Sequence, residues 1–276
     1  MKPLNNPKAA KTRARKRGIV VVLALAGGSA LAALAISRDH AGDSVSGQKI
    51  QTVSRMESAS EKPPSVRPLS ELNASEQLTR AYAALFDTSR TEDVKSGDYS
   101  YSGGKLLQMG GGHWILLAPA NHLEAYPVNL GVLGIFYLAE SEGQFAVKGR
   151  WPDFVSGSIM GNPPEWEVRN DVSDHPVVVS TAGGVWQGYS CASMSLIELG
   201  SEGPRQIAEF PSQYDDSGAK GGDQLVTGIE GRLQNPVKNV RFEVGYEGTR
   251  SFTHRYIRTP EGKYALEEND DSVPTC

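Results

Sequence analysis

The sequence predicts a mainly β, antiparallel β-repeat domain of about three four-stranded, blade-like units of about 60 residues each, preceded by one amphipathic helix. Two observations support this fold class. After about residue 97, short runs rich in Val, Ile, Tyr, Phe and Trp alternate with clusters of Gly, Pro, Asn and Asp, which is typical of strands joined by turns. Similar turn segments also recur at a nearly fixed interval, as in proteins built from repeated units.

The repeated segment is LAESEG at Leu138–Gly143, which closely matches LGSEG at Leu199–Gly203. TPEG at Thr259–Gly262 matches more weakly. The last glycines of the three segments are 60 and 59 residues apart. Since hairpin turns favour glycine everywhere, the argument depends on the interval and on the strands around each turn.

Each repeated turn joins a longer apolar strand to a shorter one, and two further strands precede them in every unit. The predicted strands are, unit by unit, KLLQM, HWILLAPA, VLGIFYLAE and QFAVKGRW; EWEVRN, HPVVVSTA, SCASMSLIELG and PRQIAEF; QLVTGIEG, VRFEVGY, SFTHRYIRT and KYALEE. Closed propellers typically need 4–8 four-stranded blades, which is more than three units supply. An open propeller-like stack, a β-prism-like arrangement and a sandwich covered by the helix therefore all remain open.

The N-terminal segment predicts passage across a membrane. Residues 1–17 carry seven basic and no acidic side chains, and residues 18–36 form the uncharged stretch GIVVVLALAGGSALAALAI. As a helix this stretch would span about 28 Å, close to the roughly 30 Å core of a bilayer. The basic region is expected to stay cytoplasmic. One interpretation is a single-pass, N-in anchor of the inner membrane with a periplasmic or extracytoplasmic domain. The other is a signal peptide cleaved near Ala33-Leu34-Ala35, which would secrete the domain to the periplasm.

A flexible linker is predicted over residues 37–69, ahead of an exported β-rich domain at residues 70–276. The linker is polar, nearly free of aromatic residues and closes with Pro63, Pro64 and Pro68. Such a composition buries too little apolar surface to offset the entropy lost on ordering.

The exported domain begins with a predicted helix over residues 74–86. Asn73 and Glu76 have the spacing of a capping box, in which each side chain accepts a hydrogen bond from the other residue's backbone. The apolar residues that follow recur at helical spacing and define one buried face. They are Leu78, Ala81, Tyr82, Leu85 and Phe86.

Charge argues against a nucleic-acid partner. The chain has a net charge of −4, and the first 17 residues contribute +7, so the remaining residues carry −11. Nucleic-acid binding favours basic patches. We therefore expect no nucleic-acid partner and interpret the acidity as favouring solubility.

No arrangement of residues typical of catalysis, metal binding or cofactor binding is present in the sequence. The segment Gly188–Ala192, GYSCA, is similar to a nucleophile elbow but has Ala where the final Gly belongs and lies among predicted strands. The five histidines and two cysteines lack zinc-site spacing. Gly110–Gly112 is not followed by a helix, so it predicts a hairpin turn instead of a phosphate-binding loop. We predict no catalytic residue, no metal site and no cofactor.

Two groups of residues are candidates for binding a partner. Trp186, Gln187 and Tyr189 lie in a predicted hairpin loop whose turn we assign to Gly183 and Gly184, and aromatic residues on loops are frequent in recognition surfaces. The second group shares one face of the strand SFTHRYIRT by alternation. It consists of Arg250, His254, Tyr256 and Arg258, together with Phe252. The alternative for both groups is an ordinary packing role.

The two cysteines, Cys191 and Cys276, are a candidate disulfide pair because export favours oxidation. The alternative is a buried thiol at Cys191 and a free one at the terminal residue Cys276.

The sequence therefore predicts a membrane-tethered or secreted cell-envelope protein whose β-repeat domain binds a protein partner or a cell-wall or sugar ligand without catalysis. The alternative is an envelope hydrolase that uses a pair of carboxylates distant in sequence.

Overall fold

The computed structural model describes residues 67–267 and 272–276. The predicted basic region, the membrane or signal segment and nearly all of the linker lie outside these residues. Within the described part of the chain, no helix has the length and apolar character needed to span a bilayer.

The described chain starts with a single 3-10 turn at Leu69–Glu71 and one α-helix, α1, at Ala74–Phe86. The capping box forms as its residues predict. The Glu76 backbone N–H donates to Asn73 Oδ1 at 2.9 Å, and the Asn73 N–H donates to Glu76 Oε2 at 3.0 Å. The helix ends at Asp87, which takes a left-handed conformation with φ 53°. Its buried face packs on the sheet that follows.

Replacing Asn73 with Ala is expected to lower the free energy of unfolding by about 1 kcal/mol, because the Glu76 N–H loses its acceptor. Thermal and urea unfolding of the two proteins would measure the difference. An Asn73→Ser variant keeps a capping oxygen and should recover most of the stability. Equal losses in both variants would contradict the capping explanation.

Strands form most of the remaining described chain. In order they are β1 (Val94–Ser96), β2 (Tyr99–Tyr101), β3 (Lys105–Gly110), β4 (His113–His122), β5 (Val132–Ser141), β6 (Gln144–Ser156), β7 (Glu165–Arg169), β8 (Val177–Trp186), β9 (Tyr189–Gly200), β10 (Gly203–Asp215), β11 (Gly228–Val237), β12 (Arg241–Gly248), β13 (Phe252–Arg258) and β14 (Tyr264–Leu266).

The strands form two antiparallel sheets, so the fold is mainly β as the sequence predicts. In the first sheet the order is β1-β2-β4-β5-β6, and β3 pairs with the other part of the β4 edge that β2 uses. In the second sheet β7 to β14 pair in chain order. The twelve predicted strands correspond to β3–β14. The short strands β1 and β2 were not predicted, because three-residue segments carry too little pattern.

The second and third predicted groups of four strands share one sheet in the structure. Residues 213–215 of β10 pair with residues 228–230 of β11 and join the two groups. These eight strands therefore form one continuous sheet and not two separate blades.

The domain has three layers, with α1 on one face of the first sheet and the second sheet on the other. Alternation in β4 explains how one strand serves both interfaces. Leu116 packs in the cluster with Tyr82 of α1, whereas Leu117 packs in the cluster with Ile197 of the second sheet. Leu116 and Leu117 are both fully buried. A strand buried on both faces has a continuous apolar sequence, as HWILLAPA does.

The second sheet curls around a core of its own on the face turned away from the first sheet. Phe242 stacks on Tyr256 with ring centroids 5.0 Å apart, and Phe210 and Tyr264 lie 5.7 and 5.0 Å from the same Phe242 ring. The Tyr264 hydroxyl donates to the Val172 carbonyl at 2.8 Å, which ties the last strand to the segment before β8. The curl turns one face of β10–β14 inward.

The strands run between two opposite ends of the domain, which we call the turn end and the loop end. The turn end carries the β5–β6, β9–β10 and β13–β14 turns, whose glycines Gly143, Gly203 and Gly262 all have positive φ. The described chain starts at this end, where the Leu69 N–H donates to Glu140 Oε1 at 3.3 Å. The loop end carries residues 123–131, 157–164, 187–188 and 216–227, which join β4 to β5, β6 to β7, β8 to β9 and β10 to β11.

Candidate functional site

Exposed apolar side chains concentrate at the loop end, which we call the apolar loop surface. Its members come from four loops or turns. They are Leu123, Tyr126, Val128 and Leu130 before β5; Met160 before β7; Val185, Trp186 and Tyr189 around the β8–β9 turn; and Leu225 and Val226 before β11. Val128 is 79% exposed and Leu225 is 89% exposed. Trp186 and Tyr189, two of the three hairpin residues predicted as binding candidates, belong to this surface.

The β8–β9 hairpin presents Trp186 at its tip. Gln187 and Gly188 form the turn with φ 51° and 85°, the backbone signs of a primed turn, whose twist matches that of the flanking strands. Trp186 and Tyr189 are directly opposite each other in the pairing, and Trp186 is 61% exposed. The structure has the predicted hairpin, and it exposes the two aromatic residues for which the sequence left binding and packing roles open.

The assignment of the turn to Gly183 and Gly184 is wrong. Both glycines lie inside β8, where they pair with Ala192 and Cys191. They are required for close packing instead. A Cβ on Gly183 would overlap the Cys191 carbonyl oxygen, and a Cβ on Gly184 would lie 2.7 Å from the Ile159 side chain.

Backbone hydrogen bonds join the β4–β5 and β6–β7 loops. The Gly161 N–H donates to the Asn129 carbonyl at 2.8 Å, and the Gly157 N–H donates to the Gly131 carbonyl at 2.7 Å. A third bond runs from the Gly131 N–H to the Ser158 carbonyl at 3.4 Å. These bonds fix the position of the loop that carries Tyr126, Val128 and Leu130.

The β6–β7 loop is joined in turn to the hairpin. The Ile159 N–H donates to the Gly183 carbonyl at 3.2 Å, and the Gly183 N–H donates to Ser158 Oγ at 3.1 Å. On the other side, Gly188 lies against Gly218 so closely that neither position has room for a Cβ. The four loops are therefore one connected surface.

The β10–β11 loop is held by the buried carboxylate of Asp216. Its oxygens accept hydrogen bonds from Lys220 Nζ and the Thr227 N–H, both at 2.7 Å, and from the Tyr214 hydroxyl at 3.3 Å. The bond from Lys220 holds the pKa of Asp216 below its ordinary value, although burial acts in the opposite direction. Leu225 and Val226 are thus presented by an internally bonded loop.

A depression of about 330 Å³ lies within this surface. Val128 and Leu130 line it together with Tyr99 and His122, whose rings meet edge to face with centroids 5.4 Å apart. Sequence reasoning missed this half of the surface. The segment LEAYPVNLG shows neither the helical spacing of apolar residues nor the alternation of a strand. Its place in this surface follows only from its contact with loops that are distant in sequence.

The second predicted group does not form an exposed face. His254 and Tyr256 are buried at 5% and 6% exposure, because the curl of the second sheet turns their side of β13 into the core. Tyr256 packs on Phe242, and Tyr246 lies edge to face with His254 at 4.9 Å. The expectation that this face meets a ligand is therefore wrong for these two residues.

The two arginines of that group have structural contacts. The Arg250 guanidinium lies 5.1 Å from the centre of the Phe252 ring. Arg258 lies over Tyr264 at 5.6 Å and reaches Glu198 at 3.4 Å. Arg258 therefore helps to neutralise a buried carboxylate at the turn end, far from Trp186.

Glu198 and Asp216 are the buried carboxylates among the described residues, and both are paired with cations. Burial raises the pKa of Glu198, but hydrogen bonds from Ser173 and Arg205 and the charge of Arg258 outweigh it and hold the pKa below its ordinary value. A catalytic proton donor at neutral pH needs the opposite shift. Within the described chain, no cluster of His, Cys, Asp and Glu is arranged to hold a metal ion.

The two cysteines form a disulfide bond, with Cα atoms 6.3 Å apart. Cys191 lies in β9, where it pairs with Gly184 near the base of the Trp186 hairpin. The bond fastens the terminal residue Cys276 to this region, and Val273 of the same tail is buried in the core of the second sheet.

Comparisons with protein-family models, with curated proteins and with solved structures found no match to this chain.

Proposed function

We propose that this chain is a non-catalytic cell-envelope protein, tethered to the membrane or secreted, whose apolar loop surface binds a protein partner. The observation that carries the proposal is the concentration of exposed large apolar side chains on four interconnected loops at one end. Contiguous exposed apolar patches of this kind are rare on monomeric proteins and usually mark interaction sites.

The loops are already ordered for binding. Backbone bonds from Gly161, Gly157 and Ile159 and the ion pair at Asp216 hold them in the free protein. A pre-organised surface loses less conformational entropy on association than a mobile one. Trp186 supplies a large anchor at the tip, and the depression beside Val128 can receive a side chain of the partner.

Charge favours a protein over a lipid surface as the partner. Glu124, Asp153 and Asp223 are exposed on the strands and loops of this end. Anionic lipids attract basic surfaces, so these carboxylates oppose contact with them. A partner with an apolar projection flanked by Lys or Arg would complement both features.

Two features support an envelope location. Residues 1–36 have the pattern of an N-in anchor or a cleaved signal. The disulfide between Cys191 and Cys276 is of a kind that persists in oxidising compartments.

The domain is also proposed to consist of three related four-stranded units, β3–β6, β7–β10 and β11–β14. In support, equivalent glycines follow the third strand of each unit with positive φ. A second parallel supports the first two units. Their fourth strands, β6 and β10, each have a register shift beside a proline, Pro152 in β6 and Pro211 in β10.

A Trp186→Ala variant is expected to lose at least tenfold in affinity for the partner, because truncating a central aromatic anchor commonly costs more than about 2 kcal/mol. The full-length chain would be purified from cross-linked envelopes, and the binding constant of the recovered protein would then be measured for each variant. Val240→Ala is the matched control, since Val240 is exposed and apolar but lies in the β11–β12 turn at the other end.

Three outcomes would contradict the proposal. Equal affinity of the Trp186→Ala and wild-type proteins would remove the role of the hairpin. A loss of affinity in the Val240→Ala variant alone would place the interface at the turn end. Recovery of a glycan and of no protein would show that the partner is a glycan.

A further inference from the structure

A cavity of about 300 Å³ opens between the two sheets at the turn end, at the far end of the strands from the apolar loop surface. Its walls are mostly apolar and come from β3, β4, β5 and β9. Met109, Ile115 and Leu199 are representative. Cavities of this character and of at least this size are where proteins hold small molecules.

Tyr137 contributes an unpaired polar group to the lining of this cavity. Tyr137 of β5 lines it, and the Tyr137 hydroxyl is buried without a hydrogen bond to any described residue. Burial raises the pKa of Tyr137, so the hydroxyl keeps its proton and is available as a donor. Leaving a buried hydroxyl unpaired is unfavourable, because the group has lost its hydrogen bonds to water. A ligand oxygen would supply the missing acceptor.

Basic side chains surround the same cavity. Lys148, His113 and His175 line its rim, and among the described residues none of their side chains forms a hydrogen bond or an ion pair. A register shift places Lys148 as an extra residue between the pairs Val147–Leu138 and Gly149–Tyr137. Bulges re-aim side chains, and this one places Lys148 among the residues that line the cavity with Tyr137.

We propose that this cavity binds a small amphipathic carboxylate, a medium-chain fatty acid or a compound of the same chemistry. The carboxylate accepts hydrogen bonds from the Tyr137 hydroxyl and the Lys148 ammonium. The hydrocarbon body packs against Met109, Ile115 and Leu199, and the two histidines donate further hydrogen bonds at the rim. The site is distinct from the proposed protein-binding surface and does not depend on it.

Isothermal titration of the full-length protein with sodium octanoate tests the proposal. Octanol and octylammonium serve as probes of the same chain length without the negative charge. Octanoate is expected to bind at least tenfold more tightly than either, because hydrogen bonds to a charged carboxylate are stronger than those to a neutral hydroxyl. No heat of binding at millimolar octanoate, or equal affinity for octanol, would overturn the proposal.

Two substitutions locate the site. Tyr137→Phe removes only the hydroxyl, and Lys148→Gln removes an exposed charge; each should weaken octanoate binding at least tenfold. Lys95→Gln, on the remote edge strand β1, is the matched control and should leave the affinity unchanged. The Tm of Tyr137→Phe should not fall, since the lost hydroxyl has no partner. Octanoate affinity that is unchanged in both variants would overturn the assignment.

Discussion

Replacing Cys276 with Ser is expected to lower the free energy of unfolding by roughly 4 kcal/mol. The disulfide closes a loop with a sequence separation of 85 residues, and the chain-entropy model gives a loss of about this size when such a loop is opened in the unfolded state. Urea unfolding of the wild-type and variant proteins, both without reductant, would measure the change. The variant should also lose the packing of Val273, which the bond holds near the core.

Cys191→Ser is the matched control for this prediction. It opens the same loop, so it should destabilise by a similar amount, and the double variant should lose little more than either single variant. Reduced wild-type protein should resemble all three. Variants as stable as the oxidised wild type would show that the bond does not contribute as the structure implies.

Replacing Glu198 with Gln is expected to lower the free energy of unfolding by about 3 kcal/mol at neutral pH. Glu198 accepts bonds from Ser173 and from Arg205 at 2.6 Å, and Arg258 lies at 3.4 Å. Removing one partner of a buried ion pair typically costs about 3–5 kcal/mol, because the remaining charge is left without compensation. We expect the lower limit, since the Arg205 side chain is 45% exposed and retains water.

The loss should depend on pH in a defined direction. The pKa of Glu198 in the folded protein lies below its ordinary value near 4.5. Its contribution is therefore complete above about pH 4.5 and disappears as the pH falls through the folded-state pKa. The stability difference between wild type and Glu198→Gln should shrink accordingly in acid. A constant difference between pH 7 and pH 3 would contradict this account of Glu198.

Local patterns were sufficient to predict the helix and the strands β3–β14, but not the short strands β1 and β2. Asn73 and Glu76 determine the start of α1 within four residues, and the apolar runs between glycine turns mark β3–β14. Pairing between β10 and β11 depends on contacts across the loop 216–227, which no local pattern encodes. The sequence therefore indicated groups of four strands but not the sheet that two groups share.

The candidate site was likewise only partly predictable from local sequence patterns. Alternation correctly placed His254 and Tyr256 on one face, but only the curl of the sheet decides that this face is the core. The hairpin at Trp186 was predictable from its sequence, apart from its turn, because Gly183 and Gly184 serve close packing as well as turns. The cavity at Tyr137 joins residues of two sheets, and no segment of the sequence indicates it.

Site-specific photo-cross-linking tests the central claim, that the apolar loop surface binds a protein partner, most directly. A benzophenone amino acid would replace Trp186, Val128 or Leu225, which lie on three different loops, and Val240 at the turn end as the control. The proposal predicts that one and the same protein is cross-linked in the envelope from all three loop positions and not from Val240. Cross-linking of that protein from Val240 alone, or of no protein from any loop position, would contradict it.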